Sequence, residues 1–497
     1  MRVLIAIHLL ALSSLFMVCA GETAEEWLER AADPALSRRE RDFAVRQIAM
    51  LADSSASILR TALREGKPED AIRRRIAARL LGDLALPATE APLLEAAFGM
   101  DPLLADAASV ALAEIYSRMG DNELLLLLNR GGREAGTVPG GLEENEGDDW
   151  LVLSLASNRA KGRFRAIVMR GVALKFGNGG RIPDWLARRI FDCLTDADRE
   201  LRLLAARAAG LAGGETAGER LAAFLYVETD PFVLVEALRS LARLRLPLYK
   251  EAIERHTAHA DPLVAIEALA ALDAMGYGDA MFPSRPGARS IALFVSHPST
   301  PVRRRAIELL GGSRNPVALE YLEAALFDRV GANRAAAVRA LAGLGVAGTA
   351  GVLSPLLRDG WPEVRAEAAI ALAAQGVMGV AARMMDDLAG ESLPFRRAAA
   401  VSLARIGDAR AVPILLETLG DPDVELACLA AEALGGLAGR EFGARLYDRM
   451  TKAANPVLVD AIRSALARIC RDDPGSSPET WRSWAGRNGL ENQGDGK

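Results

Sequence analysis

A chain of 497 residues is longer than the roughly 100 to 200 residues that one compact core usually serves. Hydrophobic content of 51% with only 5% aromatics excludes a disordered chain and calls for close packing of small aliphatic side chains. A net charge of −5, with only Lys67, Lys161, Lys175, Lys250, Lys452 and Lys497 as lysines, excludes the Lys-rich tract expected of a nucleic-acid binder.

In chain order, residues 1–20 read as a secretory signal peptide: Arg2 supplies the positive start, Val3 to Val18 the apolar run, and Val18-Cys19-Ala20 the cleavage site. Cleavage near Ala20 starts the mature chain at Gly21 and moves the charge to −6, placing the protein in the periplasm or outside the cell. The alternative is a lipoprotein anchored through Cys19, which Phe16, Met17 and Val18 suit poorly because a small residue normally precedes an acylated Cys. No later run reaches the roughly 18 apolar residues of a transmembrane anchor. Residues 21–65 have a helical pattern without a clear repeat and read as an N-terminal cap or degenerate repeat.

Repeats are expected over 66–128 and 150–471. Buried anchors stand at Ile72 (with Arg73, Ile76 and Leu80), Leu104, Phe164, Leu201, Val233 and Val264, with Asp-Pro turns ahead of three of them. Residues 129–149 form a Gly-rich acidic insertion between them. It reads as a solvated loop; a partner-contacting flap or a cation site on Glu143, Glu144, Glu146, Asp148 and Asp149 is the functional alternative, but calcium-loop spacing is missing. A smaller insertion follows at 277–286. From Val302 the step is strict, with Asn333, Val364, Phe395 and Leu426 each 31 residues on, and Leu458 opening the last unit. After Val364, Ala368, Ala371 and Leu372 fall on one helical side, Pro362 suits the helix start and Gly376 its left-handed end. Leu353, Leu356 and Leu357 space a first helix before it. Each unit is thus a helix, a tight turn and a helix. The fold expected is all-α: an α-solenoid, or superhelix, of stacked antiparallel helix pairs in about a dozen units, each touching only its neighbours in sequence. Residues 472–497 read as a C-terminal capping segment with Trp481 and Trp484 covering the last unit, and a disordered tail.

These residues, Pro362-Glu363-Val364-Arg365 with Ala368-Ala369, Ala371-Leu372 and Gly376, and likewise Gly420-Asp421-Pro422-Asp423 with Ala430-Ala431-Glu432-Ala433-Leu434-Gly435, resemble the short HEAT-like repeats of bacterial proteins named after phycobilin lyases. The resemblance implies the solenoid and is nearly silent on activity. Deoxyhypusine hydroxylases of this form use His-Glu dipeptides, and none of His8, His256, His259 and His297 precedes Glu. His256 and His259 share a helical face but lack a third ligand, so a helix-end pair outweighs a metal site. Cys193, Cys428 and Cys470 read as buried free thiols. We expect no cofactor, no metal, no catalytic set and no nucleic acid. The expected role is an exported scaffold that holds a protein or peptide partner on its concave face; an enzyme with scattered residues, or a structural component of envelope assembly, is the alternative.

An Arg one place after the anchor recurs, as Arg73, Arg165, Arg202, Arg303, Arg334, Arg365 and Arg396. Arg303, Arg334, Arg365 and Arg396 are the candidate structural ladder: in HEAT-like repeats this Arg commonly bridges to an Asp or a carbonyl of the adjoining unit, here Asp328 and Asp359. A stripe for an acidic partner is the other reading. Arg304, Arg305 and Arg397 lie further round, are expected to face solvent, and are the candidate partner-binding residues.

Overall fold

The computed structural model describes residues 23–65, 70–84, 89–98, 101–130, 158–177, 179–277, 281–282, 290–313, 315–346, 348–474 and 478–490, and every regular element among them is helical. Residues 1–22, where a signal peptide is expected over 1–20, nearly all of the expected 129–149 insertion, most of 277–286 and the tail from 491 lie outside the described residues. By packing, the chain divides into Leu51–Ala306 and a second unit made of Met1–Met50 with Ile307–Lys497.

Two helices precede the first of these units, α1 (Ala24–Ala32) and α2 (Arg38–Met50). The unit Leu51–Ala306 then runs through α3 (Ala52–Glu65), α4 (Ala71–Leu84), α5 (Glu90–Ala97), α6 (Pro102–Ser117), α7 (Asp121–Arg130), α8 (Asn158–Gly177), α9 (Asp184–Asp192), α10 (Arg199–Ala212), α11 (Gly214–Leu225), α12 (Pro231–Leu244), α13 (Lys250–Glu254) and α14 (Pro262–Ala274). The unit boundary falls inside α15 (Thr300–Gly312). Second helices lie side by side, α4 on α6, α6 on α8, α8 on α10, α10 on α12 and α12 on α14. First helices α5, α9, α11 and α13 each lean on the second helix that follows them. This is an α-solenoid, built by neighbour-on-neighbour burial.

Local chemistry explains why each second helix starts where it does. The Asp101, Asp230 and Asp261 carboxylates accept the first free backbone N–H groups, and the proline that follows each of them occupies the first helical position, where no N–H is needed. The anchors Leu104, Phe164, Leu201, Val233 and Val264 are buried. Small residues let the second helices approach: a Cβ on Gly82 would stand 2.5 Å from the Ala111 Cα, and one on Gly210 2.6 Å from the Ser240 Cβ.

One register expectation is corrected. Ile72 is 41% exposed, whereas Ala77, Ala78, Leu80 and Leu81 are buried. The anchor position therefore belongs to Arg73, which restores a 31-residue step to Leu104, and Arg74 takes the next place, its Nε donating to the Leu63 carbonyl at 3.1 Å. Period alone could not separate the two phases, because the long apolar stem of an Arg can line a buried stripe as an Ile does.

The other unit continues through α16 (Ala318–Ala325), α17 (Gly331–Leu344), α18 (Ala350–Leu353), α19 (Pro362–Ala374), α20 (Val380–Ala389), α21 (Leu393–Ile406), α22 (Val412–Thr418), α23 (Val424–Leu437), α24 (Gly443–Lys452), α25 (Pro456–Cys470) and α26 (Pro478–Arg487). Its second helices α17, α19, α21, α23 and α25 pack in sequence. The first helix expected through Leu353, Leu356 and Leu357 is α-helical only to Leu353 and tightens into a 3₁₀ turn over Ser354–Arg358. Pro355 is the cause, lacking the N–H for an α-helical bond and crowding the preceding turn. Trp484 is buried, with its indole N–H on the Asp472 carbonyl at 3.2 Å.

The expectation that only sequence neighbours touch is also corrected, within the stretch 21–65 that reads as a cap or degenerate repeat. Of that stretch α3 leans on α4, but α1 and α2 belong by packing with the last repeats, α2 lying on α25.

Candidate functional site

Where an arginine follows the anchor, it ties its helix to a neighbouring turn, in most cases that of the next unit. Arg165 Nη1 donates to Asp196 at 2.5 Å, Arg202 Nε to Glu228 at 2.6 Å, and Arg334 Nε and Nη2 to both oxygens of Asp359 at 2.9 and 2.7 Å. Arg365 reaches Asp387 at 3.1 Å and lies 4.0 Å over the Phe395 ring, while Arg396 reaches Asp421 at 2.5 Å. Arg303 is buried and donates to the His297 and Pro298 carbonyls at 3.0 and 2.9 Å. Asp328 gives its carbonyl to Arg334 at 2.8 Å. Burial would raise the Asp359 carboxyl, but the Arg334 guanidinium and the Trp361 N–H hold it below its ordinary value.

Except for Asp387, which stands eight places before Phe395, the acid of this ladder stands five places before its own anchor, and there it has a second duty. Asp196, Glu228, Asp328, Asp359 and Asp421 each accept the backbone N–H two residues on, at 2.8 to 2.9 Å. Two units carry histidine there instead. His259 Nδ1 accepts the Asp261 N–H at 3.0 Å and His297 Nδ1 the Ser299 N–H at 3.1 Å. The residues after the preceding anchors are Leu234 and Ala265, so no guanidinium arrives to be neutralised and a neutral acceptor suffices. His256 stacks on His259 at 6.2 Å, and its Nδ1 meets the Ala252 carbonyl at 3.1 Å, which gives it a role in the turn. Burial, with His259 and Arg255 nearby, holds the His256 imidazole below its ordinary pKa.

A second set of ion pairs crosses the second helices and was not anticipated. Arg207 meets Glu236 at 3.0 and 3.2 Å, Arg239 meets Glu267 at 2.7 Å, and Arg339 meets Glu367 at 2.9 Å, each Arg six places after its anchor and each Glu three after the next. The recurrence of Arg, then Glu 28 or 29 residues later, was the available signal.

Arg305 and Arg397, expected to face solvent, serve the fold. Arg305 binds both oxygens of the buried Glu267 at 2.7 and 3.0 Å. Arg397 meets Asp423 at 3.1 and 2.6 Å and Glu425 at 3.0 Å. Acids from the neighbouring second helices claim both guanidinium forks, and Arg304 is half-buried. Cys193, Cys428 and Cys470 are buried free thiols.

What stands free of the packing is an aromatic edge on the unit Leu51–Ala306. Tyr226 and Val227, in the turn between α11 and α12, and Phe232, in the first turn of α12, are 53%, 68% and 63% exposed. Asp230 fixes that turn as the cap of α12, so Phe232 is held at the first turn of the helix. Arg199 from the preceding repeat lies 4.7 Å over the Phe232 ring, and Arg255 from the following one 4.8 Å over Tyr226. Aromatic faces and planar cations thus line up across three repeats. No helix among the described residues is long and apolar enough to cross a membrane.

Comparison with solved structures finds similarity to a Kap121p mutant (14% identity, 95% of this chain and 55% of that one, TM-score 0.39) and to Kap95p in its binding to RanGDP (14%, 95% and 70%, TM-score 0.40). The CpcE–CpcF phycocyanin lyase complex of Nostoc is similar at 17% identity over 58% of this chain and 95% of that one, TM-score 0.29. The chain spans about half the length of Kap121p. No curated protein matches in sequence. The family profile described as HEAT repeats matches residues 289–374 and 384–467, and those residues are HEAT repeats.

Proposed function

We propose that this chain is an exported scaffold that holds a protein or peptide partner, and that the partner is met on the edge formed by Tyr226, Val227 and Phe232. The observation that carries the reading is that exposed apolar triplet between Arg199 and Arg255. Tyr and Arg are enriched where interfaces concentrate their binding energy, and side chains already stacked lose little freedom on binding. Export is supported by Arg2, the run Val3 to Val18 and the small residues at Val18-Cys19-Ala20.

The test is photo-crosslinking from a probe residue at position 226 or 232 in the expressing cell, followed by capture with Tyr226→Ala/Phe232→Ala. We expect one discrete crosslinked protein, at least tenfold less of it captured by the double variant, and unchanged capture by Phe327→Ala, an aromatic 86% exposed outside this edge. Equal capture by the double variant refutes the edge. A full-length chain with an intact Met1 to Ala20 in the cytoplasmic fraction refutes export.

A further inference from the structure

One acid of the last repeats, Glu432, draws its cation from outside the array, whereas Asp460 is held by Arg463 of its own helix at 3.0 Å. Elsewhere the second-helix ladder closes within the array, as in Arg207–Glu236 and Arg339–Glu367. In α23 the sixth place after Leu426 holds Glu432, and the place opposite it in α25 is Ala461. The cation comes instead from the far end of the chain: Arg39 of α2 donates to both Glu432 oxygens, at 2.5 and 3.2 Å. Arg46, two turns further along α2, stands 3.9 Å from Asp460, and Asn455 donates to Glu40 at 3.0 Å.

The helix making these contacts has the form of a bound ligand. Arg39, Phe43 and Arg46 recur at the zero, fourth and seventh places of one face, the spacing of a helix laid in a groove. Its own start is fixed locally, since the Ser37 N–H donates to Glu40 and the Glu40 N–H to Ser37 Oγ, and Trp27 of α1 packs edge-on to Phe43 at 5.9 Å. Its seat is loose. The two Arg pairs are partly open to water, and a cavity of about 40 Å³ remains between Trp27, Phe43, Ala44 and the start of α25 at Asn455 to Val457. Ion pairs so exposed hold weakly.

We propose that the second-helix face of α23 and α25 is a binding site for an arginine-bearing amphipathic helix of a partner protein, and that α1 and α2 occupy it in cis until such a helix displaces them. Charge complementarity selects the occupant: Glu432 takes a cation from it, Asp460 keeps Arg463 at 3.0 Å and adds a weaker contact two turns on, and an apolar residue lies between. This deepens the scaffold reading by adding a second, gated surface, and it stands on the packing of α2 independently of the aromatic edge.

Cys428 is a reporter placed by the fold. It is fully buried in α23, and Arg39 and Glu40 of α2 are among the charges acting on its thiol. Burial pushes that thiol up to about 12, with Arg39 opposing, so it is inert while α2 is seated. The experiment is iodoacetamide labelling of the full mature chain, mapped by mass spectrometry, with buried Cys193 as the internal control. Arg39→Glu is expected to raise Cys428 labelling at least tenfold with Cys193 unchanged, and Glu432→Arg on that background to restore protection. A synthetic peptide of residues 37–50 should bind the Arg39→Glu chain and protect Cys428 again, and should leave the wild type unchanged. Unaltered Cys428 labelling in Arg39→Glu overturns the proposal, as does Cys193 labelling that rises in parallel, which would make α2 part of the fold. Concentration-dependent dimers of Arg39→Glu overturn the partner helix in favour of a second copy. Loss of the crosslinked protein at position 226 with this labelling pattern intact would refute the edge alone.

Discussion

Glu267 is the most heavily committed charge of the array, and its replacement tests the ion-pair account directly. Its carboxylate is 2% exposed and accepts from Arg239 at 2.7 Å and from Arg305 at 2.7 and 3.0 Å, so three consecutive second helices meet on one side chain. Hydrogen bonds to charged groups are worth about 1.5–3 kcal/mol each. Both arginines keep some water, at 42% and 29% side-chain exposure, and Gln keeps one acceptor oxygen, so screening and partial retention bring Glu267→Gln to about 2 kcal/mol of destabilisation. Glu267→Ala, which also leaves a void and two uncompensated guanidiniums, should cost about 3–4 kcal/mol. Burial alone would raise the carboxyl, but the two arginines outweigh it and lower its pKa from 4.5. A lowered acid contributes stability that is full above the unfolded value and lost as pH falls through the folded one. The cost of Glu267→Gln should therefore be constant from pH 7.5 to about 5 and shrink below the ordinary value of 4.5. Because repeat arrays open in segments, the assay is hydrogen exchange resolved to α12, α14 and α15 in low urea, repeated across pH. A change under about 0.5 kcal/mol, or one that persists undiminished at pH 3, refutes the reasoning.

Two further outcomes follow from the packing. Gly82→Ala places a methyl 2.5 Å from the Ala111 Cα and should destabilise the contact of α4 with α6 by about 1–3 kcal/mol, read as faster exchange in those two helices; Gly343→Ala, which meets no atom within 4 Å, is the neutral control. His256, half-buried beside His259 and Arg255 with a lowered pKa, should titrate below its ordinary 6.5 by proton NMR. Its folded form favours the neutral ring, so stability is full above about 6.5 and falls as pH drops through the folded value; in His256→Phe that component should vanish from urea midpoints measured between pH 7.5 and 5.

Much of the fold was legible because each repeat writes it locally. The 31-residue step, the Asp-Pro caps and the stripe Val364, Ala368, Ala371 and Leu372 depend on contacts within one helix or between sequence neighbours, and such contacts leave a period. The arginine after each anchor was visible for the same reason. Its partner was only partly visible, because Asp and Glu both serve five places before the next anchor and Arg365 instead reaches Asp387, eight places before Phe395. What tertiary structure alone decided lacks a period. Arg305 and Arg397 read as solvent-facing until the second helices were set side by side and brought Glu267 and Asp423 beneath them. The exposure of Tyr226 and Phe232 depends on neighbouring repeats leaving that turn uncovered, which a list of aromatic residues does not reveal. Arg39 and Glu432 stand 393 residues apart, and nothing in the chain between them records the pairing, because complementary charge fixes what can meet and only the path of the backbone fixes what does.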